Sequence, residues 1–143
     1  MAISTAMSTS FKVELFQGTH NFNLSGGDAF KAALYSSAAT LGASTTAYSA
    51  TNEVSGTNYS AGGNALTRID PTSSGTTAYV DFADLVFSNV TISGVRGCNI
   101  YNSTDSNKSV STHDFGSDKA ATSGDFTLVM PTADASNAIL RLA

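Results

Sequence analysis

The sequence predicts an all-β domain, best described as a jelly-roll-like antiparallel β-sandwich with a short N-terminal helix. Three observations carry this. Residues 79–102 are almost unbroken β-formers, cut only by Ser, Asn and Gly. Short alternating segments follow one another through the second half at roughly 8–12-residue spacing with polar turns between them, the pattern of a sandwich or barrel. Only the start shows a helical period. A two-sheet jelly roll fits the strand count, and 143 residues suit one domain with a core that needs no staples.

Ile3, Met7, Phe11 and Leu15 recur every fourth residue and would form one apolar stripe on a helix. Ser4 or Thr5 is placed to cap its start and Gly18 to end it, so residues 1–18 read as a helix or arm. The stripe either closes one end of the core or docks on a neighbouring subunit. From Asp28 the period changes. Phe30, Ala32 and Leu34 alternate with Lys31, Ala33 and Tyr35, as in a strand buried on one face. Residues 36–64 are rich in Ser, Ala, Thr and Gly, with Leu41, Tyr48, Val54 and Tyr59 as anchors. Structureless loops beyond ~12–15 residues are uncommon, so this long polar segment either hides short strands or is an interaction loop. Residues 45–52 fit a short helix. Further strands are predicted at 65–69, 77–82, around Val90 and Ile92 up to Gly94, and at 95–101, 109–115, 125–130 and 138–142. Turns fall at 71–75 and 102–107, a loop at 116–124, and Pro131 stops the penultimate strand.

Charged residues make up 13%, about half the usual share of roughly 25%. Net charge is −4 and the isoelectric point about 4.8. Binding phosphates needs clustered Lys and Arg, and the basic residues form no run, so nucleic acid is not an expected partner. Cys98 is the only cysteine and excludes an internal disulfide. The first residues lack the basic region and apolar run of a signal peptide. No apolar stretch approaches the ~18 residues of a membrane span. A soluble chain synthesised in the cytoplasm, with no membrane partner, is the expectation.

Reactive constellations are thin. A hydrolytic triad needs Ser, His and an acid to converge, yet His113 and Asp114 are strand neighbours that point to opposite faces. No Gly-x-Ser-x-Gly elbow is present. His20 falls in a turn-like stretch and reads as solvated. Asp81 and Asp84 lack the converging oxygens of a calcium loop and read as strand-end charges. Two glutamates, Glu14 and Glu53, and the absence of Trp weaken glycosidase and lectin readings. Cys98 reads as a small buried hydrophobe. No enzyme activity, cofactor or metal is expected. Arg96, a lone charge among β-formers, either pairs with Asp81, Asp84 or Asp114 or anchors an interface.

Several stretches carry a resemblance. These are residues 1–12 (Met-Ala-Ile-Ser-Thr-Ala-Met-Ser-Thr-Ser-Phe-Lys) and 30–41 (Phe-Lys-Ala-Ala-Leu-Tyr-Ser-Ser-Ala-Ala-Thr-Leu). Residues 46–49, 52–57 and 59–63 belong with them, as do Arg96-Gly97, Ile100-Tyr101-Asn102 and residues 114–119. Over essentially its whole length the chain resembles small virion structural proteins of tailed bacteriophages. It departs from their pattern at Gly94-Val95, Cys98-Asn99 and Thr112-His113. The resemblance implies a capsid decoration, or cement, protein on the outer surface of an HK97-like head. Its partners would be the major capsid protein and further copies of itself, as dimer or trimer, after synthesis in the host cytoplasm. It implies no catalytic residue. Candidate interface residues are Ile3, Met7, Phe11, Leu15, Tyr48, Tyr59 and Arg96. A tail, fibre or host-recognition module, and a small carbohydrate-binding domain, are the alternatives.

Overall fold

The computed structural model describes residues 2–143. Its elements run β1 (Ala6–Met7), α1 (Thr9–Phe16), β2 (Phe30–Ser36), β3 (Asn64–Ala65), β4 (Arg68–Ser74), β5 (Thr77–Phe82), β6 (Leu85–Asn102), β7 (Lys108–Leu128) and β8 (Leu140–Leu142). Five strands form one antiparallel sheet in the order β1-β7-β6-β2-β3, and three form a second in the order β4-β5-β8. The chain is an all-β sandwich with one short helix near the N-terminus. Phe30, Leu34, Cys98, Ile100 and Val110 of the larger sheet share a core with Phe82 and Leu140 of the smaller one. Phe22 stacks on Phe30 with ring centroids 4.4 Å apart, and Phe11 of α1 closes that end at 1% exposure.

The helix is shorter than its stripe. Ile3 lies in extended chain beside Leu41, and Met7 is in β1, paired with Ser111. Ser8, not Ser4 or Thr5, is the N-cap residue, with extended backbone angles. The four-residue spacing matches a helix, but the Ser/Thr-rich opening gains more from pairing. Ser4 N–H donates to the Leu41 carbonyl at 2.8 Å, and Thr112 Oγ1 donates to the Ser4 carbonyl at 2.7 Å. Gly18 ends α1 as expected. It sits at φ +73°, its N–H donates to the Leu15 carbonyl, and Thr19 N–H reaches Glu14. This is the Schellman pattern, which favours glycine at that position.

β6 and β7 are each continuous where the sequence suggested breaks. The expected turn at Gly94 and the loop at 116–124 lie inside one two-stranded ribbon. The register shifts between Phe87 and Val90, between Ile92 and Val95 and again near Gly97. Asn89, Gly94, Gly116 and Ser123 take positive φ along the ribbon. The Ser, Asn and Gly that looked like strand ends are bulges, which kink a strand without ending it. Likewise β4 continues through Pro71 to Ser74, with a bulge between Ile69 and Thr72. Proline is tolerated there because β4 is an edge strand.

Residues 36–64 form no helix at 45–52. They run along the edge of β2 away from β6, where Val54 N–H donates to the Leu34 carbonyl, and their Ala39, Leu41 and Tyr48 lie over its outer face. β2 is therefore buried on both faces rather than one. Phe30, Ala32 and Leu34 face the main core, while Ala33 and Tyr35 join Ile3, Ala39, Leu41 and Tyr101 in a second one, with Tyr48 packed against it. Tyr48 stacks on Tyr101 at 4.9 Å.

The segment is fastened at Glu53. Its Oε2 accepts from the Tyr48 hydroxyl at 2.6 Å, and its Oε1 accepts from the Tyr59 hydroxyl and Gly62 N–H, both at 2.7 Å. The Tyr59 oxygen in turn accepts from Leu34 N–H at 2.9 Å. Hydrogen bonds to a carboxylate contribute about 1.5–3 kcal/mol each. Glu53→Ala is expected to lower unfolding free energy by about 3 kcal/mol and to open residues 36–64 to protease, while Glu53→Gln, which keeps one acceptor oxygen, costs about 1 kcal/mol. Denaturant titration and limited proteolysis of both variants check this.

Candidate interaction surface

The titratable groups are largely occupied in holding the fold. Asn102 Oδ1 accepts from Thr104 and Asp105 N–H, which orients its amide so that Nδ2 donates to Asp28 and to His20 Nδ1. His20 then carries its proton on Nε2 and donates to Glu14 Oε1 at 2.9 Å. Its side chain is fully buried, so it is a tether between α1 and the end of β6, not the solvated residue the sequence suggested. Asp81 Oδ1 accepts from Phe82 N–H and Asp84 Oδ1 from Met130 N–H, as strand-end acceptors. Among the described residues no group of three His, Cys, Asp or Glu is placed to hold a metal ion, and no helix is long and apolar enough to cross a membrane.

One pairing resembles a fragment of catalytic machinery. Ser111 Oγ lies 2.9 Å from His113 Nε2, on the same face of β7. The neighbouring carboxylate, Asp114, turns to the other face and binds Arg96 Nε at 3.0 Å, with Asp118 3.7 Å from the guanidinium. The Gly116 N–H and Arg96 together hold Asp114 below the usual carboxylate range. Cys98, opposite His113 in the register, is buried, which pushes its thiol up to about 12. A thiol in that state is a poor nucleophile. Arg96 thus takes the pairing role with Asp114, one of the partners expected for it.

The open side of the molecule lies elsewhere, where both sheets end on very short edge strands. β1 has two residues and β8 three, and β8 pairs only with β5. Leu140 and Leu142 share a face of β8. Leu140 is buried, but Leu142 runs past the cover of the other sheet and is 58% exposed. Across from it α1 turns Phe16 outward at 96% exposure. Between them lie two adjoining grooves, of about 460 and 650 Å³, which share Met7, Leu15, Arg141 and Leu142. Lys12 and Arg141 supply charge along the wider groove. The surface can bury an apolar partner and pair its acidic rim.

The interface residues read from the sequence divide accordingly. Met7 and Leu15 line the grooves. Ile3 and Phe11, at 8% and 1% exposure, are core residues of this chain and are not available to a partner. Tyr48 and Tyr59 are held by Glu53, and Arg96 by Asp114. The helical stripe selected the inward face. Phe16 and Val13, off that stripe, are the exposed apolar residues of α1, and an apolar residue opposite a stripe is the signal that would have found them.

Burial pushes His113 down to about 4, below its unfolded value near 6.5. Its contribution to stability is therefore complete above about pH 6.5 and is lost as pH falls toward 4, a change of about 3 kcal/mol. His113→Gln should remove this dependence, so that denaturant midpoints at pH 7 and pH 4.5 converge in the variant and stay apart in the parent chain. Comparison of the chain with protein-family models, with curated proteins and with solved structures finds no match.

Proposed function

We propose that this chain is a structural protein of a bacteriophage particle that decorates the head, bound to the outside of the shell across subunit boundaries. The observation that carries this reading is the groove between α1 and β8, where Phe16 and Leu142 stand exposed beside an unpaired sheet edge. Burying one large apolar side chain contributes about 2 kcal/mol, which is modest for a single contact. A decoration protein needs no more, because an oligomer seated on several shell subunits multiplies weak contacts through effective concentration. The pinned 36–64 layer suits the same role, since a pre-ordered surface loses little conformational entropy on docking. The whole-chain resemblance to small virion proteins points the same way.

Adding the purified chain to heads that lack it, followed by electron cryomicroscopy, tests the reading. Density in many copies over the shell is expected, with Phe16→Asp weakening attachment at least tenfold. Density only at the tail would favour a tail module instead, and no density on the particle would overturn the proposal.

A further inference from the structure

A second apolar surface lies on the outer face of the β6–β7 ribbon. Val86 pairs with Thr127 across the ribbon, while Phe87 pairs with Phe126 and Leu85 with Leu128. Phe87, Phe126 and Leu128 are buried, so the alternate residues Asp84, Val86, Asp125, Thr127 and Val129 face outward. Val129 is 72% and Val86 43% exposed. Asp84 and Asp125 flank them, held in place by Met130 N–H at 2.7 Å and Asn89 N–H at 3.0 Å. This surface is apolar with an acidic rim. The α1–β8 groove is apolar with a basic rim, Lys12 and Arg141. Asp134 is held below the usual carboxylate range chiefly by its bonds to Asn137 and Ser136, with Arg141 a lesser influence. Leu142 pairs with Ala78 at the start of β5, and Asp84 follows the end of β5. The two surfaces therefore lie at opposite ends of that strand and cannot close on each other within one chain.

We infer that a second copy of this chain covers the groove. Val129 and Val86 of one copy pack against Phe16 and Leu142 of the next, and Asp84 and Asp125 meet Lys12 and Arg141. An apolar centre with a charged rim is the usual anatomy of such contacts. Two complementary surfaces per chain give either a two-fold dimer that makes the contact twice or a ring that makes it once per subunit. The inference rests on reading the groove as a docking face and names its occupant. The groove joins copies into the oligomer that seats on the shell, so Phe16→Asp acts on head attachment by breaking that oligomer. The contact itself does not depend on the presence of a head.

Light scattering of the full chain over a range of concentrations tests it. A mass above the 14.7 kDa monomer that falls at high salt is expected. Val129→Lys, and separately Lys12→Glu with Arg141→Glu, should each weaken self-association at least tenfold. All these positions are exposed, and unchanged thermal midpoints would show that folding is intact. A monomer at every concentration, or an oligomer indifferent to both variants, overturns the inference. A monomer that still attaches to heads overturns this inference alone; an oligomer that ignores heads overturns only the decoration reading.

Discussion

The carboxylate of Glu53 is the constraint on which the rest of the architecture depends. Residues 36–64 hold too few apolar side chains to bury themselves, and their Ser, Thr and Gly would cost conformational entropy to order. Three donors converging on one carboxylate replace the missing apolar contact. β2 can then be buried on both faces, with Tyr35 of β2 and Tyr101 of β6 reaching out of the sheet to the Ser49 and Gly62 carbonyls. Burial, with Glu53 close by, raises the pKa of both hydroxyls, so they remain donors through the physiological range. Gly63 shows how close the layer sits. It lies at φ +74°, and a side chain there would run into the Ala32 carbonyl. The segment the sequence presented as a loop is the third layer of the domain.

The strands were legible in proportion to how local their causes are. β5 falls on residues 77–82, as its alternation predicts, and the Gly18 stop depends only on neighbouring carbonyls. The ribbon was misread because a bulge and a turn use the same residues, and only the partner strand decides between them. Gly94 at φ +64° in an isolated peptide would reverse the chain; against β7 it merely shifts the register. The Ile3–Leu15 stripe failed for a similar reason. Its first half answers to Leu41 and to β7, which no short window contains.

The site was half legible. A periodic stripe reports the face a helix hides, so it led to Phe11 and Leu15 and passed over Phe16. His20 was misplaced because its partners, Glu14 and Asn102, come from separate elements. For Arg96 the sequence left a carboxylate partner and an interface both open, and the structure supplies the carboxylate, Asp114, across neighbouring strands whose geometry narrows the choice of partners. The basic rim of the groove draws Lys12 and Arg141 from opposite ends of the chain, so charge spacing along the sequence carries no trace of it.

β1 bears on the order in which the domain is made. Residues 2–7 are synthesised before the segments they pair with, yet their hydrogen bonds run to Leu41 and, 108 positions along the chain, to Thr112. Loop closure over such a span is slow compared with forming the neighbouring β6–β7 ribbon. The N-terminal segment therefore waits for its slot, and until it docks the edge of β7 stands open. An edge left open in that interval is one a strand of another chain can pair with, a liability that lies in the order of assembly and not in the finished fold.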